Sequence, residues 1–111
     1  MLMEAKTPRE FFEKVLPSRF RSEKATGVDV IVQIKINGSN GGDWTVTIKN
    51  LKLEVKEGIH PSPAIRLEMA DSDYLDLVNG KMSGEKAFLM GKVRFKGNIA
   101  LALKLKEMGF L

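Results

Sequence analysis

From Val28 to Ile36 the chain alternates. Val28, Val30, Val32, Ile34 and Ile36 point one way, and Asp29, Ile31, Gln33 and Lys35 the other. Successive side chains of a strand leave on opposite faces, so this pattern predicts a strand buried on one side. Asn37-Gly38-Ser39-Asn40-Gly41-Gly42 has the turn residues of a loop. Asp43 to Lys49 reads as the return strand, with Trp44, Val46 and Ile48 on its apolar face. At Asn50 the apolar parity switches from even to odd, and Leu51, Leu53 and Val55 carry the next face. A tight turn or bulge near Lys49-Asn50 accounts for the switch. After the Gly58–Pro63 loop, Ile65, Leu67 and Met69 alternate with Arg66 and Glu68. Val93 and Phe95 alternate with Lys92, Arg94 and Lys96, which predicts a fifth strand with one basic side.

Other segments carry a helical period. Thr7-Pro8-Arg9-Glu10 is a helix start, with Thr7 to cap, Pro8 in the first turn and Glu10 completing a capping box. Phe11, Phe12, Val15, Leu16 and Phe20 form its stripe, and Pro17 is expected to end or kink it. Such a helix covers a sheet, or lies in a membrane interface. Asp71 or Ser72 caps a short helix that contains Tyr74, Leu75, Leu77 and Val78 and closes at Asn79-Gly80. Ser83 caps another, through Phe88 and Leu89. From Ile99 on, the pattern alternates like a strand. Asn98 as a cap, Ala100 and Ala102, and Gly109 as a terminal cap favour a helix. That helix is apolar around most of its girth until Lys104, so it needs an apolar neighbour on more than one side. The sum is an α+β fold: four or five mostly antiparallel strands with helices gathered on one face.

At 111 residues the chain suits a single domain, 1–111, large enough to bury a core without staples. It has no cysteine, which excludes disulfides, thiolate chemistry and Cys-based zinc. No apolar run approaches a transmembrane span, and the charged N-terminus lacks a signal-peptide core. The net charge of +4 is uneven. Residues 1–27 carry six basic and four acidic side chains, residues 28–80 five and eight, and residues 81–111 seven and two. The last third therefore presents the positive field, suited to anionic headgroups, an acyl-CoA phosphate or nucleic acid, or simply to solubility. Few aromatics interleave with these bases, which argues against nucleic acid.

Catalytic constellations are missing from the sequence. His60 is the only histidine, in a Gly/Pro loop without companion ligands, and reads as a solvent-exposed loop residue. Asp71, Asp73 and Asp76 sit where capping and helix-dipole compensation explain them. No serine has a nucleophile-elbow context, and Gly38–Gly42 lacks the Lys-Ser/Thr of a phosphate loop. No catalytic residue, metal or cofactor is assigned. The informative residues are soft and apolar: Met69, Met82, Met90 and Met108, with the aromatics Trp44, Tyr74, Phe88 and Phe95. Methionine adapts to varied apolar partners. Periodicity alone favours an ordinary packed core over a cavity.

The order of motifs after Met69 decides between them. Met69-Ala70-Asp71-Ser72-Asp73, Tyr74-Leu75, Gly80-Lys81-Met82, Ala87-Phe88, Gly91-Lys92 and Gly97-Asn98 follow one another as in the sterol carrier protein type 2 family, which this chain closely resembles. The Trp44 strand, its Lys49-Asn50 turn and the first helix are also similar, so the resemblance runs from about Thr7 onward. It implies a five-stranded sheet covered by helices around an apolar tunnel, holding sterols, phospholipids, fatty acids or fatty acyl-CoA, with no chemistry of its own. Two departures stand out. The chain ends Gly109-Phe110-Leu111, without a peroxisomal Ser/Ala-Lys-Leu-type address, which points to the cytoplasm. The turn Lys49-Asn50-Leu51-Lys52 lacks the family's glycine after asparagine.

The expected function is therefore non-enzymatic lipid binding and transfer. The expected lining is Trp44, Met69, Tyr74, Leu77, Met82, Phe88, Met90, Leu101, Leu105 and Met108. Lys92, Arg94 and Lys96 are the candidates for steering to anionic membranes. The rival reading is a protein-interaction or regulatory module, in which the apolar C-terminal helix packs on a partner or a second copy as a homodimer.

Overall fold

A computed structural model describes residues 4–108. Five strands form one sheet in the order β3-β2-β1-β4-β5: β1 (Val30–Asn37), β2 (Gly42–Lys49), β3 (Lys52–Glu57), β4 (Ile65–Ala70) and β5 (Val93–Lys96). All neighbouring pairs are antiparallel except β1 with β4, so the sheet is mixed. The expected parity on β1, β2, β4 and β5 is present. Val32 lies between Val46 and Ile65 in register, Leu67 opposes Phe95, and Met69 opposes Val93. These side chains build the inward face on which the helices sit.

Two strand ends differ from the sequence pattern. Val28 is buried but belongs to a turn, its N–H bonded to Ala25 O at 3.0 Å, and β1 begins at Val30. Leu51 is not on the β3 face. It sits in the two-residue turn after β2, where Asn50 and Leu51 both take left-handed backbone (φ 53° and 64°). That conformation matches the twist of a hairpin, and it suits Asn-Gly better than Asn-Leu.

The N-terminal helix runs through α1 (Pro8–Glu10), a wider π turn (Phe11–Val15) and α2 (Leu16–Arg19). Thr7 Oγ1 accepts from Glu10 N at 3.1 Å, as the capping pattern requires. Pro17 does not end the helix. Leu16 N–H reaches back to Phe11 O across the π turn, and the helix continues to Arg19. A π turn redistributes the backbone bonds just where proline removes one donor. Phe11, Phe12, Val15 and Leu16 are all buried against the sheet. A 3₁₀ turn follows at Ser22–Lys24.

Three helices complete the inward layer: α3 (Asp71–Val78), α4 (Gly84–Leu89) and α5 (Ile99–Glu107). Ser83 Oγ accepts from Lys86 N, and Asn98 Oδ1 from Leu101 N, each at 3.1 Å, as expected of caps. At α3 the N-cap is Ala70, with no side-chain cap bond. Asp71 instead accepts from Asn40 N at 3.1 Å and from Ser72 N at 2.8 Å, tying the β1–β2 loop to the helix start. Asn79 ends α3, and its side chain clamps Ala5 through bonds to both backbone groups. The proposed terminal cap Gly109 lies outside the described residues.

Candidate functional site

The helix layer divides the inward face of the sheet into two unequal halves. Over β1 and β2 it is closed by rings. Phe12 stacks on Trp44 (centroids 4.9 Å apart) and on Tyr74 (5.5 Å), while Phe11 meets Phe12 and Tyr74 edge-on at 5.4 and 5.7 Å. Burial and offset aromatic packing make this half solid. Tyr74 is fully buried, and its hydroxyl has no hydrogen-bond partner among the described residues. Burial pushes the ionisation of that phenol well up, against an opposing influence from Arg19, so the ring stays neutral.

Over β4 and β5 the layer is not filled. A cavity of about 480 Å³ lies there. Its floor is Val32, Ile65, Leu67, Val93 and Phe95. Leu77 of α3, Ala87, Phe88 and Leu89 of α4, and Ile99, Ala102, Leu103 and Leu105 of α5 form its walls. Its ionisable lining residues are Glu85 and Lys106, which pair across the rim at 3.5 Å. A hydrogen bond from its own backbone N–H and the nearby Lys106 hold the Glu85 carboxyl below the ordinary range. The outer wall opens to solvent, since Phe88, Leu89, Ile99 and Leu103 are all more than half exposed. An apolar space of this size, with charge only at its mouth, suits an apolar molecule with a polar end.

The ten side chains expected to line a cavity fall into three groups. Leu77, Phe88 and Leu105 stand on its wall. Trp44, Met69, Tyr74 and Met108 are buried in the core outside the lining. Met82 and Leu101 pack partly buried against that core, and Met90 is exposed at the end of α4. Branched aliphatic side chains outside those ten supply much of the lining: Val32, Ile65, Leu67, Leu89, Val93, Ile99 and Leu103. For Val32, Ile65, Leu67 and Val93 the inward parity of β1, β4 and β5 was the signal in the sequence, but parity does not say which stretch of the face lacks a covering helix.

The steering bases also separate. Lys92 pairs with Asp73 at 3.5 Å. Arg94 and Lys96 point to the outer face of the sheet, opposite to Val93 and Phe95, and line a second pocket of about 400 Å³ there with Lys35, Arg66, Asp43 and Glu68. Gln33, buried on that face, bonds Gly58 O, Trp44 O, Thr45 Oγ1 and His60 N and so pins the loop after β3. His60 is half-buried rather than fully exposed, its Nδ1 accepting from Ser62 N at 3.0 Å. Among the described residues no cluster of three or more His, Cys, Asp or Glu could hold a metal, and no helix is long and apolar enough to cross a membrane.

Comparison with known proteins agrees with this geometry. A sequence model of the SCP-2 sterol transfer family matches residues 12–108. Human sterol carrier protein 2 is 37% identical over 81 residues, which is 70% of this chain and 15% of that protein. Mouse hydroxysteroid dehydrogenase-like protein 2 is 29% identical over 96 residues, 86% of this chain and 20% of that protein. The chain thus spans a fifth or less of the length of these two relatives. Among solved structures, the palmitated SCP2L2 from Aedes aegypti superposes with a TM-score of 0.68 at 25% identity, covering 92% of this chain and 94% of that one.

Proposed function

Because the chain belongs to the SCP-2 sterol transfer family, we propose that it is a cytoplasmic, non-enzymatic carrier that holds one acyl-chain lipid, such as a fatty acid or fatty acyl-CoA, in the cavity beneath α4 and α5. The observation that carries this reading is the placement of charge. Every lining side chain is apolar or a glycine except Glu85 and Lys106, and these two pair at the rim. A buried chain needs no polar partner, and its anionic head can stay at the mouth beside Lys106. Each methylene taken from water contributes about 0.8 kcal/mol, so affinity should rise roughly fourfold per carbon while the chain still fits. The family and the palmitate of the Aedes relative support an acyl ligand.

The test is native mass spectrometry of the purified protein, followed by solvent extraction and titration with saturated fatty acids of increasing length. A removable extra mass, or a binding series that steepens with length, agrees with a carrier. A bare protein that gains no thermal stability from fatty acids, acyl-CoA or phospholipids refutes it.

A further inference from the structure

The pocket of about 400 Å³ on the outer face of the sheet is a site of its own. Strands β4 and β5 lie between it and the lipid cavity, so nothing about it depends on the carrier reading. Register sorts its charges into two rows. In the first, Asp43, Lys35, Glu68 and Arg94 follow one another across four strands, and their signs alternate. In the second, Thr45, Gln33, Arg66 and Lys96 cross the same strands, with no carboxylate in the row. Arg66 and Lys96 therefore face each other directly. Side chains so placed stand about 5 Å apart at Cβ, and like charges there repel. Neither side chain has a hydrogen-bond or ion-pair partner among the described residues. Glu68, two residues along from Arg66, is committed elsewhere. It accepts from Asn37 Nδ2 at 2.9 Å, and that bond, with Lys35 and Arg94 nearby, holds its carboxyl below the ordinary range. The floor is fixed, because the buried Gln33 amide donates to Trp44 O and Gly58 O and accepts from Thr45 Oγ1 and His60 N. The loop pinned in this way carries the exposed Ile59 to the pocket's edge.

We infer that Arg66 and Lys96 form an anion site on the outer face of the sheet, and that its ligand is a small soluble phosphomonoester whose carbon side lies along Ile59. Two adjacent cations without a counter-charge call for a dianion. A phosphomonoester carries about −1.5 to −2 at neutral pH, whereas a carboxylate carries a single charge. Arg66 offers a planar fork of donors and Lys96 a point charge, the two ways in which proteins commonly hold phosphate. A lipid headgroup has the same chemistry, but this face is poorly made for a bilayer. Of the exposed large hydrophobics among the described residues, only Ile59 lines this pocket, so no apolar group beside it could enter an acyl layer.

The test is titration of the isotope-labelled protein with phenyl phosphate, followed through its amide NMR shifts at about 0.15 M salt, where distant surface charges are screened. Two charge-assisted contacts predict saturation with a Kd on the order of 1 mM, with the shifts centred on Arg66 and Lys96. Phenyl sulfate, of similar shape but singly charged, should bind roughly tenfold more weakly. Arg66→Gln and Lys96→Gln should each weaken phenyl phosphate roughly tenfold, and Arg66→Lys should keep part of the affinity. Lys35→Gln, in the balanced row, should change it less than about twofold. Ile59→Ser should cost phenyl phosphate roughly threefold and leave inorganic phosphate unchanged. All four side chains are exposed, so these variants keep the fold. No saturation at about twenty times the expected Kd, an equal loss from Lys35→Gln, or equal binding of phenyl sulfate would each overturn the inference. Shifts at Arg66 and Lys96 that appear with phosphatidic acid vesicles but not with the free ester would also overturn it. Lys96→Gln should hold or raise the Tm of the phosphate-free protein, since it relieves a like-charge pair. A fall would show that Lys96 already has a partner and would remove the premise.

Discussion

Replacing Phe12 by alanine is the sharpest test of how the N-terminal helix is held. The ring is fully buried and meets three others, stacked on Trp44 and Tyr74 and edge-on to Phe11. Truncating a buried phenylalanine costs about 3–5 kcal/mol. Each aromatic pair lost adds about 0.5–1.5 kcal/mol beyond the area term, which sets Phe12→Ala toward the upper end. A domain is stable by only about 5–15 kcal/mol, so this variant approaches unfolding, and Phe12→Leu is its companion at about 1–1.5 kcal/mol. The assay is equilibrium urea unfolding followed at the buried Trp44 indole, compared at constant m-value. A cycle of Phe12→Leu with Tyr74→Leu, read by circular dichroism, should show coupling of about 0.5–1.5 kcal/mol. A cost for Phe12→Ala below about 1 kcal/mol would mean that the helix detaches easily. The closed half of the sheet would then not be closed, and the N-terminal helix would again be free to meet a membrane.

Tyr74→Phe removes a buried hydroxyl that has no partner, so stability should hold or rise by about 1 kcal/mol. A fall of that size in the denaturation midpoint would show that the hydroxyl is bonded. Leu51→Gly relieves left-handed strain of about 1–2 kcal/mol, against a glycine entropy cost of about 0.5–1 kcal/mol, so thermal unfolding should move up slightly. A clear drop in Tm would mean that the half-exposed Leu51 side chain packs more usefully than its exposure suggests. Ala102→Phe places a ring in the cavity wall and should lower fatty-acid affinity by roughly tenfold or more while leaving the fold intact. Unchanged affinity would place the ligand elsewhere.

The sequence carried most of the fold because strand parity and caps are local signals. Val32, Val46, Ile65, Leu67 and Phe95 announce their inward face by spacing alone, and Ser83 and Asn98 cap where their side-chain chemistry predicts. The departures come where nonlocal geometry or backbone strain intervenes. A π turn lets the helix run through Pro17, Asp71 serves the loop at Asn40 in place of its own helix, and Leu51 accepts a conformation better suited to glycine. The site was legible only in part. Large or flexible side chains were weighted as lining, yet a large flexible side chain is what fills space. Trp44, Tyr74, Met69 and Met108 are buried in the core outside the cavity lining.

The C-terminal helix shows how one sequence feature serves both halves. Its apolar girth reads as an excess that a single sheet cannot bury. In the structure Leu105 and Met108 turn into the core, Ala102 and Leu105 wall the cavity, and Ile99 and Leu103 remain at the open mouth. The small Ala102 beside the cavity keeps the wall thin, while the exposed leucine and isoleucine lie where a filled core would not leave them. The Asn98 cap closes its first turn, and the bond from Arg21 N to Met108 O at 2.9 Å ties its C-terminal end to the rest of the fold. A helix lying over an unfilled space is the part of the molecule best able to shift when a chain enters. Hydrogen exchange should therefore show α5 amides opening well below the global unfolding energy in the empty protein and slowing when a fatty acid is added. Equal protection of α5 and the central strand β1 in the empty protein would refute that division of the fold into a rigid half and a yielding half.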